Sequence, residues 1–371
     1  MPEFTRSDHK FMARALRLAE RGLFTTDPNP RVGCVIVGDS RVVGEGWHRR
    51  AGEAHAERVA LEAAGRAARG ATAYVTLEPC SHQGRTPPCA EALVEAGVAR
   101  VIFALADPNP AVAGRGAGCL RAAGIDVASG LLWEPAEAIN RGFLKRMRVG
   151  LPWVTVKLAM SLDGRTAMAS GESRWITDAP ARRDVHRLRA RSSAVLTGVE
   201  TVLADDPRLT ARDVEGPLEP PRRFVFDSTL RTPPTAALVT DGGGVTLLCS
   251  RPAEGRAAAL EARGAEVCTL PADAAGHIDP EPALRMLARL EMNEVMVESG
   301  PTLAGALVRA GLVDELVIYA APHLMGGEGR PLLRLPGLGR MAERLSLSIV
   351  DLRMIGDDIR ITARPVPPPQ E

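Results

Sequence analysis

Strand-like and helix-like patterns alternate along this chain. Over residues 7–22, Phe11, Met12, Ala15, Leu16 and Ala19 recur at three- and four-residue spacing, which predicts a helix with one apolar face and Gly22 as its stop. Residues 32–37 and 42–46 read as a hairpin around Gly38-Asp39-Ser40. Helices follow over 54–64, 89–96 and near 116–123, interleaved with strands at 72–77, 100–105 and 125–127. This is an α/β/α sandwich of one domain's length. A helix within 133–149 ends in Lys145-Arg-Met-Arg148 and is followed by Gly150-Leu-Pro152, so two domains are expected, 1–149 and 150–371.

The second half repeats the alternation, with strands at 153–159, 194–197, 223–226, 244–249, 265–270, 294–298 and 315–320. Its helices are expected over 179–190, 281–290 and 302–310. The tail Pro365-Val-Pro-Pro-Pro369 suits neither helix nor central strand and is expected to fray. No internal repeat is visible.

Composition narrows the classes. A chain of 371 residues, 45% hydrophobic, can build two real cores. Its 46 basic and 45 acidic residues leave a net charge of +1, so no global field draws it to nucleic acid or membrane. No apolar run approaches the ~20 residues of a membrane span, and Met1-Pro-Glu-Phe-Thr-Arg6 has no signal core. The six cysteines stand singly, which suits a reducing cytoplasm. Cys34, Cys119, Cys249 and Cys268 lack ligand spacing and read as packing residues.

The two remaining cysteines carry the strongest chemical signal. His55-Ala-Glu57 is followed by a strand pattern, then Pro79-Cys80, eight residues, and Cys89. One imidazole and two thiolates are three of the four ligands that tetrahedral zinc takes, and an open fourth position marks a catalytic site. A carboxylate two residues from the histidine is then a proton carrier, and the set points to zinc-dependent deamination of an amidine-like ring carbon. The gap is longer than the usual Pro-Cys-x-x-Cys, filled by Ser81-His-Gln-Gly-Arg-Thr-Pro-Pro88. A structural zinc with His82 as fourth ligand, or simply buried cysteines, are the competing readings. Asn29 and Asn109, each before a proline, are either turn residues or groups that orient a ring edge.

The second half speaks less clearly. Glu298-Ser-Gly-Pro-Thr-Leu-Ala-Gly305 lies between a strand and a helix, where free N–H groups could hold a phosphate; the same turn also serves packing alone. It is not Gly-x-Gly-x-x-Gly, so a standard dinucleotide fold is not supported. Lys157 inside an apolar strand needs a reason, either an anionic ligand or an edge position or salt bridge.

Several stretches together resemble the bifunctional riboflavin-biosynthesis deaminase–reductase family. They are Asp27-Pro-Asn-Pro-Arg-Val-Gly-Cys34, His55-Ala-Glu57, Thr76-Leu-Glu-Pro-Cys-Ser-His82, Gly84-Arg-Thr-Pro-Pro-Cys89 and Asp107-Pro-Asn-Pro110 in the first half. In the second they are Lys157-Leu-Ala-Met-Ser-Leu-Asp-Gly-Arg-Thr-Ala167, Thr201-Val-Leu-Ala-Asp-Asp-Pro207 and Glu298 to Gly305. The resemblance runs from about residue 7 to about 363, and the family's own long gap accounts for the cysteine spacing. One local departure is His323, where relatives often carry lysine.

The resemblance implies a cytidine-deaminase-like domain followed by a dihydrofolate-reductase-like α/β domain. The first would hydrolyse the 2-amino group of 2,5-diamino-6-ribosylamino-4(3H)-pyrimidinone 5′-phosphate. The second would reduce the product's ribosylamino group to ribitylamino with NADPH. Carried over by position, Zn2+ falls on His55, Cys80 and Cys89, with Glu57 as catalytic proton shuttle. Cofactor contacts fall on Ala159, Trp175, Thr201, Asp205, Ser228, Gly300, Pro301, Thr302, Leu303, Ala304, Gly305 and Ala306. Substrate contacts fall on Ser173, Arg189, Leu209, Arg212 and Glu298, with Arg189 and Arg212 clamping the phosphate. A homo-oligomer is expected as possible, and nucleic acid and membrane are not expected as partners. Two rivals are a nucleic-acid-editing deaminase, disfavoured by near-zero charge and 4% aromatics, and a non-catalytic nucleotide sensor with structural zinc.

Overall fold

The computed structural model describes residues 3–81, 88–109 and 113–366. The chain forms two compact units, Met1–Gly150 and Leu151–Glu371.

In the first unit α1 (Arg6–Ala19) opens on a capping box: the Thr5 side chain accepts from the Asp8 N–H, and Asp8 accepts from Thr5. The strands are β1 (Gly33–Gly38), β2 (Arg41–Trp47), β3 (Thr72–Val75), β4 (Arg100–Phe103) and β5 (Asp126–Ser129). They form one sheet in the order β2-β1-β3-β4-β5, antiparallel around β1 and parallel from β3 to β5. Helices α2 (Ala56–Ala64), α3 (Cys89–Glu95) and α4 (Arg115–Ala122) cover one face, and α1 with α5 (Trp133–Val149) covers the other. This is the three-layer sandwich that the periodicity predicts. Gly44 and Gly46 alternate along β2 because α2 lies directly on them: a Cβ on either would sit 2.2 or 2.6 Å from the Ala60 or Ala56 carbonyl oxygen. That contact fixes the start of α2, and with it His55 and Glu57.

The second unit has β6 (Trp153–Ser161), β7 (Arg165–Ala167), α6 (Ala179–Arg191), β8 (Ala194–Gly198), α7 (Val199–Asp205) and β9 (Arg222–Phe226). Then come α8 (Ala237–Thr240), β10 (Val245–Cys249), α9 (Arg256–Glu261), β11 (Ala265–Thr269), α10 (Pro280–Arg289), β12 (Glu294–Val297), α11 (Pro301–Arg309) and β13 (Glu315–Ala321). The chain closes with β14 (Arg330–Pro331), β15 (Leu347–Ile355) and β16 (Asp358–Pro365). Nine strands form one sheet, β11-β10-β9-β8-β12-β6-β13-β16-β15, parallel up to β13 and antiparallel beyond it. The strands alternate between faces: Val295, Val297, Leu316 and Ile318 pack with α10 and α11, while Met296, Val317 and Tyr319 pack with α6.

Three short helices, α7 to α9, the paired short strands β7 and β14, and the last hairpin exceed the elements expected from sequence. Pro365 does not fray; it ends β16, opposite Leu347. It lies past Ala363, the last residue of β16 paired with β13, so it costs the β13–β16 ladder no hydrogen bond. Residues 367–369 of the expected frayed tail lie outside the described residues. No helix among the described residues is long and apolar enough to cross a membrane.

Candidate active site

The first site is assembled by three separate pieces of chain. His55 is the N-cap residue of α2, Cys80 lies in the segment after β3, and Cys89 is the first residue of α3. The His55 Nδ1 lies 3.5 Å from Cys80 Sγ and 3.4 Å from Cys89 Sγ, and all three ligand atoms fall within 4.8 Å of one another. Tetrahedral zinc, with Zn–N about 2.05 Å and Zn–S about 2.3 Å, separates such atoms by about 3.6 Å. The donor set therefore fits zinc. His82, the alternative fourth ligand, lies outside the described residues.

Electrostatics in this cluster follow from burial. The Cys89 thiol donates to Cys80, and His55 lies against it, so the Cys80 pKa falls to about 4. Cys89 shifts the opposite way, held up by its bond to the Cys80 thiolate and by burial. Glu57, only 3% exposed in the first turn of α2, is raised to about 7 by desolvation and then by the Cys80 thiolate. A carboxyl poised there can both take and give a proton near neutrality.

Two residues not singled out from sequence hold this site. Glu78, 3% exposed, accepts from the N–H groups of Ala117, Gly114 and Asp107 and so ties the Pro79-Cys80 segment to the start of α4. Its signal was its place just before Pro79-Cys80. His48, 5.3 Å from His55 ring to ring, bonds the Ala54 carbonyl through Nδ1 at 3.1 Å. A carbonyl only accepts, so Nδ1 carries the proton and Nε2 accepts from Asn29 Nδ2 at 3.0 Å. Burial lowers the His48 pKa, consistent with a neutral ring. Asn29 is thus held beside the cluster. Asn109 instead donates its backbone N–H to Asp107 and accepts from Ala113, which is a turn role.

The second unit holds a cleft of about 1740 Å³ along the carboxyl ends of its parallel strands. Ser173, Arg189, Leu209, Arg212 and Glu298 all line it, as do Ala159, Trp175, Thr201, Asp205, Ser228, Gly300, Pro301, Thr302, Leu303 and Ala306. Ala304 and Gly305 do not: both are buried, and a Cβ on Gly305 would meet the Arg334 carbonyl oxygen at 2.1 Å. Gly300 caps α11 with open space where a Cβ would stand, and Pro301 occupies the first turn. The free N–H groups there suit a diphosphate.

Arg189 and Glu298 form a two-pronged pair, Nε–Oε1 2.5 Å and Nη2–Oε2 2.9 Å, and Arg189 Nη1 donates to the Thr210 carbonyl. Arg212 is exposed, with no ion pair among the described residues. The two arms of the expected clamp are therefore unequal: one guanidinium is already engaged and the other has no ion pair among the described residues. Lys157 lies on β6, a central strand, so the edge reading is wrong. Burial lowers its pKa, opposed by the nearby Glu298.

Residues 5–105 match the cytidine and deoxycytidylate deaminase zinc-binding region, and residues 152–361 match the RibD C-terminal domain. The riboflavin biosynthesis protein RibD of Escherichia coli is 52% identical over 363 residues, covering 95% of this chain and 98% of that protein. Its counterpart from Bacillus amyloliquefaciens is 44% identical over 96% of this chain and 95% of its own. Among solved structures, Acinetobacter baumannii RibD superposes with a TM-score of 0.91 at 43% identity, covering 98% of this chain and 99% of that one. With both halves matched and both sites built, the chain belongs to the RibD family of bifunctional riboflavin-biosynthesis deaminase–reductases.

Proposed function

We propose that residues 1–149 carry the deaminase and residues 150–371 the reductase. The deaminase replaces the 2-amino group of 2,5-diamino-6-ribosylamino-4(3H)-pyrimidinone 5′-phosphate by oxygen, consuming water and releasing ammonia. The reductase then passes hydride from NADPH to C1′ of the ribosylamino group, and solvent supplies the proton. The observation that carries the first half is the three-ligand cluster with buried Glu57 beside it.

His55, Cys80 and Cys89 would hold zinc, which when bound makes water nucleophilic near neutral pH. Glu57 moves the protons: it accepts one from the attacking water and delivers it to the ring nitrogen, then takes the second from the hydroxyl now on the ring carbon and gives it to the departing amine as the carbonyl forms. Asn29, steered by His48, presents its free amide oxygen to the pyrimidine edge. In the second unit the α11 start takes the dinucleotide's diphosphate, and Arg212 supplies the free positive charge for the substrate phosphate.

We assign the chain to the cytoplasm, on its unpaired cysteines, and give it no nucleic-acid partner, on its near-zero net charge. A homo-oligomer is supported by β15, a nine-residue edge strand exposing Ile349, Val350, Leu352 and Met354. Such an edge invites another strand. Antiparallel self-pairing about Leu352 would set Asp351 against the partner copy's Arg353 and Val350 against Met354. Light scattering on the chain and on Leu352→Arg tests this, with a dimer expected only for the former.

Incubation with the diaminopyrimidine phosphate, with and without NADPH, followed by mass analysis tests the whole reading. Exchange of amine for oxygen alone, and gain of two hydrogens only with NADPH, is the expected pattern. Unchanged substrate in both arms would overturn it.

A further inference from the structure

We infer that Arg251 reads the 2′-phosphate of the dinucleotide and so sets this chain's preference for NADPH over NADH. The inference rests on the reductase reading and adds the specificity-determining residue. The cleft follows the carboxyl ends of β6, β12, β8, β9 and β10 in turn. Lys157 and Glu298 stand at the β6–β12 end, and the α11 start at Gly300 follows β12. Arg251 follows β10, three strand spacings from β12, or about 14 Å at ~4.8 Å each. A dinucleotide with its diphosphate at Gly300 and its nicotinamide near Lys157 must send its adenosine toward β9 and β10.

At that end Arg251 is built in place and its charge is unspent. Its backbone N–H donates to the Ser228 carbonyl at 2.8 Å. Its guanidinium lies on the loop after β11, where Nη2 donates to the Gly276 carbonyl at 3.2 Å. A Cβ on Gly276 would stand 2.0 Å from that nitrogen, so this loop position must be glycine for the guanidinium to rest there. Among the described residues no carboxylate pairs with Arg251. Arg231, also in the cleft, gives its charge to Glu200. Asp273 is the acidic group on the same rim, but its carboxylate is engaged by the Ala275 and His277 N–H groups, with His277 Nδ1 at 3.8 Å. A planar fork with free N–H groups matches a phosphate monoester in two-pronged fashion. NADH offers only a hydroxyl at that position.

Calorimetric titration of the full chain with NADPH, NADH and 2′,5′-ADP tests this without turnover. Arg251→Met is expected to weaken NADPH and 2′,5′-ADP by about ten- to a hundredfold, the range of a charge-assisted bond, and to leave NADH unchanged. Gly276→Val, which evicts the guanidinium, should reproduce that selective loss. Equal loss for both dinucleotides, or none for either, in Arg251→Met would overturn the role of Arg251 and leave the reductase standing. Wild-type chain that binds neither dinucleotide would overturn both.

Discussion

At the scale of single residues, the proposed deaminase mechanism separates metal holding from proton transfer. Cys89 offers its sulfur to the cluster from the first residue of α3, while Glu57 sits outside the ligand triangle. Purified chain is therefore expected to carry about one zinc, and Cys89→Ser to lose both metal and deamination, as metal analysis and ammonia release will read. Glu57→Gln should retain zinc and reduction yet lose at least about a hundredfold in deamination, the low end of a positioned acid–base group's contribution. In the second unit, burial raises the Glu298 carboxyl but Arg189 more than reverses this, leaving it below the ordinary carboxylate range. A depressed carboxyl adds stability above its unfolded pKa and loses it as pH falls through the folded value. Arg189→Met removes that carboxylate's hydrogen-bonded partner and leaves it the charge of Lys157. Urea denaturation should then show a loss at pH 7 of up to about 3–5 kcal/mol, the cost of a fully uncompensated buried charge, shrinking toward pH 4 as Glu298 protonates. The His55, Cys80 and Cys89 cluster was legible in the sequence because ligand chemistry demands fixed residue types. Glu78 and His48 were not, because their work is done through backbone N–H groups and a second side chain that only the fold brings near.

At the scale of elements, helix starts do much of the positioning, and periodicity finds most of them. The longer amphipathic helices and fully buried strands were legible because one period fits them. The short α7, α8 and α9 span fewer than two turns each and leave too little period to read. The β15–β16 hairpin escaped for another reason. Most of β15 is exposed on both sides, so its apolar residues do not mark a buried face. Helix α4 shows how an element can govern a ligand it does not contain. Gly116 lets it press against the ligand segment: a Cβ there would fall 1.9 Å from the Pro79 carbonyl oxygen. Gly116→Val must push the two apart, shifting Cys80. Competition with a chelator should then strip zinc from this variant at about ten- to a hundredfold lower chelator concentration, the usual effect of disturbing a ligand's support.

For the whole molecule, each unit closes its own hydrophobic cores. A fragment beginning at residue 151 is expected to fold, bind NADPH and reduce the deaminated intermediate, with deuterium from labelled NADPH appearing at C1′. A folded fragment that binds no nicotinamide nucleotide would count against the reductase assignment and leave the deaminase untouched. Within the first unit, the N–H of Arg31 donates to the Asn140 side chain, which returns a bond to the Arg31 carbonyl, while the Arg31 guanidinium reaches the Ile139 and Leu23 carbonyls. The segment bearing Asn29 is thereby fastened to α5, more than a hundred residues later in the chain. During synthesis the ribosome will have released every zinc ligand before α5 emerges, so the nascent chain can gather metal while the Asn29 segment still lacks an anchor. The deaminase would mature in two stages, metal first and substrate contact second, and arresting translation just short of residue 133 should trap a zinc-loaded, inactive nascent chain.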